Sequence, residues 1–169
     1  MKLFGQNRAA NRMNDVGWNI EAGNYQRYLK QWNPNGASQG YRRQGPKDQG
    51  YGRFARGCDT KSGKNAMYFD IEDRFFGGKP LAGAYPVALR VIYLDRSTGG
   101  FTVKYDALSD EAKTALTVKK TDTGRWKESI VQIADGNFGN RCTHSTDLML
   151  VNASSEDTLF HLVEVTRKR

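Results

Sequence analysis

The sequence predicts an all-β sandwich, and three observations lead to this fold class. Short runs of branched and aromatic residues alternate with polar ones, as Phe101, Val103 and Tyr105 do with Thr102 and Lys104. Turn-forming residues separate these runs about every 10 to 15 positions, which is the spacing of sandwiches and barrels. The length of 169 residues fits one domain with a core of its own, and no apolar run reaches the roughly 18 residues of a membrane span.

The strands are clearest in the second half of the chain. Gly, Asn, Asp and Ser between them supply the backbone angles of turns. One connection is predicted to contain a short helical turn, residues 109–115, because Ser109 is a good N-cap and Asp110 and Glu111 would follow in the first turn. The predicted strands cover residues 87–94, 101–105, 126–133, 147–151 and 159–165.

The first 64 residues are rich in Gly, Asn, Gln, Arg and Tyr and predict long N-terminal loops with weaker strands. Loops on a rigid β scaffold are where binding residues concentrate. We expect residues 1–15 to be a leader or linker without a signal peptide, because they contain no continuous apolar stretch. Residues 16–169 form one module. The weaker strand signals are residues 18–20, 25–29, 40–43 and 51–55.

The excess of positive over negative charge is confined to roughly the first third of the chain. Residues 1–64 contain 12 Lys/Arg and 4 Asp/Glu, whereas residues 65–169 contain 14 of each, so the net charge of +8 lies entirely in the first segment. This asymmetry favours an anionic partner on the surfaces that the segment builds. The alternative is a basic leader followed by solvated loops.

No established catalytic motif is present. The chain has two histidines, and it lacks HExxH, GxSxG, the P-loop and a GxGxxG after a strand. His161 lies inside a strand and is expected in the core or on the sheet, whereas His144 lies in a polar loop. The carboxylates of Asp70, Glu72 and Asp73 predict a turn with Arg74 as counter-charge, and a structural calcium ion is the alternative for this or another cluster. Apart from that alternative calcium ion, no cofactor is predicted.

The two cysteines, Cys58 and Cys142, leave two interpretations open. They form no CxxC motif, so zinc binding is not favoured. They are either two reduced thiols in the core or one disulfide between loops, and an exported protein would favour the disulfide.

Aromatic and basic residues interleaved in turns form the candidate binding site. Exposed rings stack on the C–H faces of sugars, and Arg and Asn supply hydrogen bonds to hydroxyl, carboxylate or sulfate groups. The alternative is that these aromatic residues fold back and cap the sandwich; Trp126, at a strand start, is expected in the core. The predicted carbohydrate-binding residues are Trp32, Tyr41, Arg42, Arg43, Tyr51, Arg53, Arg56, Asn140 and Arg141.

Five segments, together with Gly17-Trp18 and Gly23-Asn24-Tyr25, resemble a β-sandwich module appended to bacterial polysaccharide-degrading enzymes, including enzymes that act on marine algal polysaccharides. The resemblance spans roughly residues 17–166. Such modules are similar to the galactose-binding-like jelly rolls. Binding sites in such modules lie in loops at one end of the sandwich or on a concave sheet face. The segments are residues 69–76 (FDIEDRFF), 91–99 (VIYLDRSTG), 119–127 (KKTDTGRWK), 138–141 (FGNR) and 159–165 (LFHLVEV).

The resemblance implies a non-catalytic, secreted or cell-surface module that holds a covalently linked enzyme on its polysaccharide. The basic first third favours an anionic polymer such as a sulfated galactan, for example porphyran, or alginate or ulvan. We expect a monomer without a membrane partner. One alternative is a β-jelly-roll polysaccharide lyase with a Tyr or His base; the other is single-stranded nucleic-acid binding, which the absence of an RNA-binding motif disfavours.

Overall fold

The structure is a computed structural model, and it describes residues 15–19, 25–49, 52–76 and 84–167. Strands dominate this part of the chain, and its helical residues form short 3-10 turns. No helix in these ranges is long and apolar enough to cross a membrane. In chain order the strands are β1 (Asp15–Asn19), β2 (Tyr25–Arg27), β3 (Leu29–Trp32), β4 (Ser38–Gln44), β5 (Arg53–Cys58), β6 (Ala66–Ile71), β7 (Tyr85–Asp95), β8 (Gly100–Tyr105), β9 (Lys113–Lys119), β10 (Arg125–Gly136), β11 (Leu148–Asn152) and β12 (Leu159–Arg167).

These strands pair antiparallel in two sheets. Counted over the described ranges, the smaller sheet has five strands in the order β3-β6-β11-β8-β9, and the larger has seven. The larger sheet follows the order β10-β7-β12-β1-β2, with β5 also pairing with β12 and β4 pairing with β5. The predicted all-β sandwich is therefore confirmed, and each weak strand signal of the first third overlaps a strand.

Period-two alternation places the main core between the sheets. On β6, Met67, Phe69 and Ile71 are buried, while Tyr68 and its outward neighbours are half-buried. The ring of Trp18 on β1 meets the ring of Phe69 edge to face at 5.3 Å, which joins the two sheets. Burial of each such side chain contributes about 1.5–3 kcal/mol, so this layer stabilises the sandwich more than any single polar contact does.

A second, smaller core lies on the outer face of the larger sheet. Ile92 and Leu94 alternate with the inward Val91 and Tyr93 on β7, yet both are buried. They pack in one cluster with Ala55 of β5, so the β4–β5 hairpin folds over this face. The same cluster contains Trp126, which is 6% exposed, and this confirms its predicted core position.

His161 lies beside this second core. It is 8% exposed, and its Nδ1 is 2.7 Å from the carbonyl oxygen of Phe54. Burial lowers the pKa of His161 to about 4. The prediction of a satisfied histidine on the sheet is confirmed.

The predicted helical turn at residues 109–115 is wrong. Glu111 and Ala112 form a turn, and strand β9 begins at Lys113. The side chain of Asp110 accepts a hydrogen bond from the backbone N–H of Ala112 at 2.8 Å, and such local bonds compete with a helix. Pairing of β9 with β8 then overrides the helical preference.

The two cysteines are separate buried thiols, so the disulfide interpretation is wrong. The Sγ atom of Cys142 is 2.9 Å from the carbonyl oxygen of Glu111. Burial raises the pKa of each thiol to about 12. Both therefore stay protonated at neutral pH and pack as small apolar groups.

Candidate functional site

A row of outward side chains crosses the outer face of the five-stranded sheet, exposed at its two ends (Trp32 and Thr114), half-buried at Tyr68 and Lys104, and buried at Met149. Strand register places these residues side by side: Trp32 pairs with Tyr68, Tyr68 with Met149, Met149 with Lys104, and Lys104 with Thr114. Trp32 is 44% exposed, which is unusual for so large an apolar side chain. A sheet face with outward aromatic rings is a surface on which a flat ligand can lie.

Trp32 faces outward because β3 alternates strictly. Leu29 and Gln31 point inward and are buried, whereas Lys30 and Trp32 are exposed. The Gln31 amide donates a hydrogen bond to Ser38 Oγ at 2.8 Å, which satisfies its buried polar group. The Lys30 ammonium lies 4.3 Å from the Trp32 ring centroid, a cation–π contact that holds the indole against the sheet. The polar residues around Trp32 predicted a turn, but Trp32 is the last residue of strand β3.

The loop that follows Trp32 is held by side-chain hydrogen bonds. Asn33 Oδ1 accepts bonds from the backbone N–H of Ser38 at 2.7 Å and from its hydroxyl at 3.0 Å. The Arg56 guanidinium donates to the carbonyl oxygen and the hydroxyl of Ser38, both at 3.2 Å. Arg56 therefore braces the loop from below, and burial lowers its pKa.

His144 reaches the same face from the loop between β10 and β11. Its ring meets the Tyr68 ring edge to face, with centroids 4.7 Å apart. His144 and Ser145 have φ values of 60° and 55°, a left-handed conformation that costs an L-residue about 1 kcal/mol. Reciprocal backbone hydrogen bonds between Cys142 and Thr146 close this tight turn. Strain of this kind is retained where the surroundings fix it, and such places are often binding sites.

A groove of about 330 Å³ lies between these elements. Its walls are the loop after β3, the segment before β6 and the His144 turn, and its floor is the sheet face beside Tyr68. Lys64 is the only charged residue among the described residues that line it, and its ammonium donates to the carbonyl oxygen of Asn35. The lining residues are Pro34, Asn35, Ala37, Gly63, Lys64, Asn65, Ala66, Tyr68, His144 and Val151.

Two buried carboxylates anchor the loop that carries His144. Asp147 accepts hydrogen bonds from the backbone N–H groups of Asn140 at 3.0 Å and Ile71 at 2.8 Å. Burial outweighs these bonds and raises the pKa of Asp147 to about 7. Asp106 accepts from Arg141 Nε at 2.9 Å, and despite its burial the Arg141 guanidinium and other donors lower its pKa. These hydrogen bonds hold the segment of the loop that precedes His144.

A second depression of about 280 Å³ lies beside the row. Lys30, Asp70 and Glu72 supply its charges, and Tyr28, 44% exposed, forms part of its wall. Burial, followed by repulsion from Asp73, raises the pKa of Asp70. The predicted ion pair between this cluster and Arg74 is not among the contacts of the described chain; instead Asp73 accepts a hydrogen bond from the Asn140 amide at 3.0 Å.

The structure separates the predicted binding residues into different places. Trp32 is beside the groove. Arg42, Arg43 and Arg53 lie on the β4–β5 hairpin of the larger sheet, and Tyr51 lies outside the described residues. The remaining four have structural partners: Tyr41 OH donates to Asp157 at 2.9 Å, Arg56 binds Ser38, Asn140 binds Asp73, and Arg141 is 2.6 Å from Asp106.

Two groove residues were missed by sequence reasoning. Tyr68 was not considered, although the period of two along β6 puts it on the same face as Ala66 and Asp70. His144 was recognised as a loop residue that could contact ligand but was not chosen for the site, because its contact with Tyr68 depends on pairing between distant strands. A systematic assignment of strand faces would have found Tyr68 but not His144.

Metal binding has no support in the described ranges, where no group of three or more His, Cys, Asp or Glu side chains could hold an ion. The candidate calcium cluster of Asp70, Glu72 and Asp73 therefore does not form such a site.

Among known proteins, similarity was found to a solved structure. No family model matches the chain, and no curated protein matches it. A solved structure of the N-terminal endo-1,4-β-D-xylanase 10B of Clostridium thermocellum, comprising CBM22-1 and GH10 modules in complex with xylohexaose, is similar with a TM-score of 0.52 and 16% identity. The match covers 84% of this chain and 26% of that one.

Proposed function

We propose that the chain is a non-catalytic carbohydrate-binding module that binds a polysaccharide along the groove on the five-stranded sheet. One observation carries the proposal: Trp32 and Tyr68 stand side by side on an outward sheet face, and His144 closes the groove beside them. Sugar rings have apolar C–H faces that stack on aromatic rings, and their hydroxyls need polar partners at the rim.

The rim offers such partners. Asn35 and Asn65 lie on the loops that wall the groove, and Lys64 adds a cation. The hydrogen bonds of Asn33 and Arg56 to Ser38 fix the loop after β3 before ligand arrives. Preorganisation of this kind raises affinity because less conformational freedom is lost on binding.

We propose further that the polymer is acidic and that the module belongs to a larger protein. The net charge of +8 favours an acidic polysaccharide over a neutral one, because fixed positive charge attracts carboxylate and sulfate groups. We propose that the module is exported as part of a larger polysaccharide-degrading enzyme and acts as a monomer. The similar solved structure also contains a GH10 module, which supports a covalently linked catalytic domain in the parent protein.

A polysaccharide lyase is the second candidate, and the contact between Tyr68 and His144 favours it, since such lyases use Tyr or His as base. Two features oppose it. Burial raises the pKa of Tyr68, which disfavours a tyrosinate. Among the described lining residues, no Arg or Gln is present to neutralise a uronate. Incubation with alginate or ulvan tests it, because lyase products absorb in the ultraviolet.

Affinity gels containing xylan, a neutral glucan, alginate, ulvan or a sulfated galactan test the proposed function. We expect at least one polymer to retard the chain. Trp32→Ala should weaken that binding about tenfold or more, the effect of losing an aromatic ring that stacks on the ligand. The matched control is Ile130→Ala on β10, since Ile130 is 55% exposed on the other sheet.

Retardation that is equal in the Trp32→Ala variant and the native chain would overturn the groove as the binding site. Absence of retardation by every polymer would overturn carbohydrate binding itself. A loss in Ile130→Ala equal to that in Trp32→Ala would show that the gels report general apolar adhesion.

A further inference from the structure

The β4–β5 hairpin contains a bulge that projects two arginines. Tyr41 pairs with Ala55 and Gln44 pairs with Arg53, so Arg42 and Arg43 together stand opposite a single residue of β5. An extra residue of this kind bends the strand and re-aims the side chains at that point. Both arginines are exposed.

The bulge is built into the backbone. Arg43 has a φ of 51°, in the left-handed region. Gly52, with φ of 75°, faces it so closely that a Cβ atom there would lie 2.8 Å from the Arg43 carbonyl carbon. Glycine at position 52 therefore allows the two strand ends to meet in this geometry. In the described part of the chain, neither Arg42 nor Arg43 pairs with a carboxylate.

Further positive charge adjoins the bulge. The Arg96 guanidinium donates to Gln44 Oε1 at 3.3 Å, and the Arg53 guanidinium lies 5.7 Å from the Trp126 ring centroid. Phe54, 38% exposed, stands opposite the bulge. We call these residues the hairpin patch: Arg42, Arg43, Arg53, Phe54 and Arg96.

Three carboxylates near the hairpin patch already have partners of their own. Asp48 is 3.0 Å from the Arg125 guanidinium. Asp122 accepts from the backbone N–H of Ser97 at 2.6 Å. Asp157 accepts from Tyr41 OH and from the backbone N–H of Thr60, both at 2.9 Å. Because Arg42 and Arg43 are exposed and pair with no carboxylate of the described residues, both guanidinium groups can bind an external anion.

We infer that the hairpin patch is a second binding surface, separate from the groove, and that it recognises the sulfate or carboxylate groups of an acidic polysaccharide. This inference rests on the proposed function, which it deepens. The groove binds the sugar rings of the polymer, and the hairpin patch binds its sulfate or carboxylate groups. The bulge end of the hairpin lies beside Trp126 of the second core, on the larger sheet, whereas the groove lies on the five-stranded sheet.

Acidic polysaccharide fits the patch better than nucleic acid does. Guanidinium groups bind sulfate and carboxylate through paired hydrogen bonds, which suits charges spaced along a sugar polymer. Single-stranded nucleic acid is typically bound on successive aromatic rings. Among the described residues of the patch, Phe54 is the only exposed ring.

The test compares the double variant Arg42→Gln/Arg43→Gln with the native chain in gels of alginate, a sulfated galactan and neutral xylan, at low and high salt. Arg74→Gln/Lys61→Gln is the matched control, since it removes the same charge from exposed positions outside the patch. We expect the bulge variant to lose about tenfold or more of its affinity for an acidic polymer, the usual effect of losing charge-assisted hydrogen bonds. High salt should produce the same loss in the native chain.

The outcomes separate the two proposals. If the bulge variant binds acidic polymers as the native chain does, or if the control variant loses as much, the inference is overturned. If the bulge arginines instead control binding of a single-stranded oligonucleotide and no acidic polysaccharide competes, it is overturned in favour of nucleic acid. If Trp32→Ala binds every polymer with native affinity while the bulge variant loses affinity for the acidic polymers, the groove is not the binding site and the hairpin patch remains supported as one.

Discussion

The imidazole ring of His144 meets the phenol ring of Tyr68 edge to face, with centroids 4.7 Å apart and planes at 88°. The contact joins a strained loop to the middle of a sheet. It also sets one wall of the groove, because His144 and Tyr68 both line it. His144 therefore contributes both a ring contact and a strained backbone conformation, and suitable substitutions can separate the effects of the two on binding and stability.

Substitution of His144 by glycine should reduce polysaccharide affinity with little change in stability. Glycine accepts a φ of 60° without the cost of about 1 kcal/mol that an L-residue bears there. Loss of the ring contact costs about 0.5–1.5 kcal/mol, so the two effects nearly cancel in the free energy of unfolding. Urea denaturation measures stability, and affinity gels measure binding.

Ser145→Gly is the control for this substitution. Ser145 has a φ of 55°, so the variant relieves similar strain but leaves the His144 ring in place. Affinity should then equal that of the native chain. A large loss of stability in His144→Gly, or equal affinity losses in both variants, would contradict a role for the ring.

Asp147 should make the free energy of unfolding fall as pH rises toward neutrality. Its pKa is raised from 3.8 to about 7 in the fold, so between these values the folded state binds more protons than the unfolded state. Stability contributed by this group is present below about pH 4 and lost as pH rises through about 7. Urea denaturation from pH 4 to 8 should show, on this account, a slope that Asp147→Asn reduces.

His161 acts in the opposite direction, so the comparison must be a difference between variants. Its pKa is lowered from 6.5 to about 4, and its contribution is lost as pH falls through that interval. Subtracting the Asp147→Asn curve from the native curve removes this contribution, since His161 is present in both. A difference curve that is flat from pH 4 to 8 would exclude the shifted carboxyl.

Patterning in the sequence predicts the sheets better than it predicts the site. The alternation of residues 101–105 and the apolar runs of β7 and β12 are local signals, and all three became strands. Trp32 could be chosen because a large ring among polar residues is hard to bury. The contact of His144 with Tyr68 could not be predicted, because residues 76 positions apart meet only after β11 has paired with β6.

Hydrogen-bond partners explain why other predicted site residues have structural roles. Arg141 and Asn140 looked like ligand-binding groups in a glycine-rich loop, but Asp106 and Asp73 accept their hydrogen bonds. Tyr41 follows a glycine in the same way, yet its hydroxyl reaches Asp157, 116 positions away in the chain. An unpaired polar side chain and a paired one are identical in sequence, so only tertiary structure distinguishes them.

Gly45→Ala should destabilise the second core more than its backbone angle alone implies. A Cβ atom at position 45 would lie 2.2 Å from Trp126 Nε1, which donates to the carbonyl oxygen of Gln44 at 3.1 Å. The indole would have to move, at a cost of about 1–3 kcal/mol. Gly63→Ala is the control, because Gly63 has a φ of 75°, close to the 81° of Gly45, with no atom within 4 Å of its Cβ position. Equal losses in urea denaturation would refute the predicted clash.

The thiols of Cys58 and Cys142 should be unreactive in the native protein. They are 0% and 4% exposed, and burial raises the pKa of each to about 12, so almost no thiolate, the reactive form, is present at neutral pH. A thiol-specific chromogenic reagent should therefore react only as the chain unfolds in urea, and both thiols should appear in that one transition. Because neither is bonded, a reducing agent should leave the thermal midpoint unchanged. Rapid labelling of one thiol in buffer would show that this thiol is accessible, and a lower midpoint under reducing conditions would show that the two cysteines are bonded.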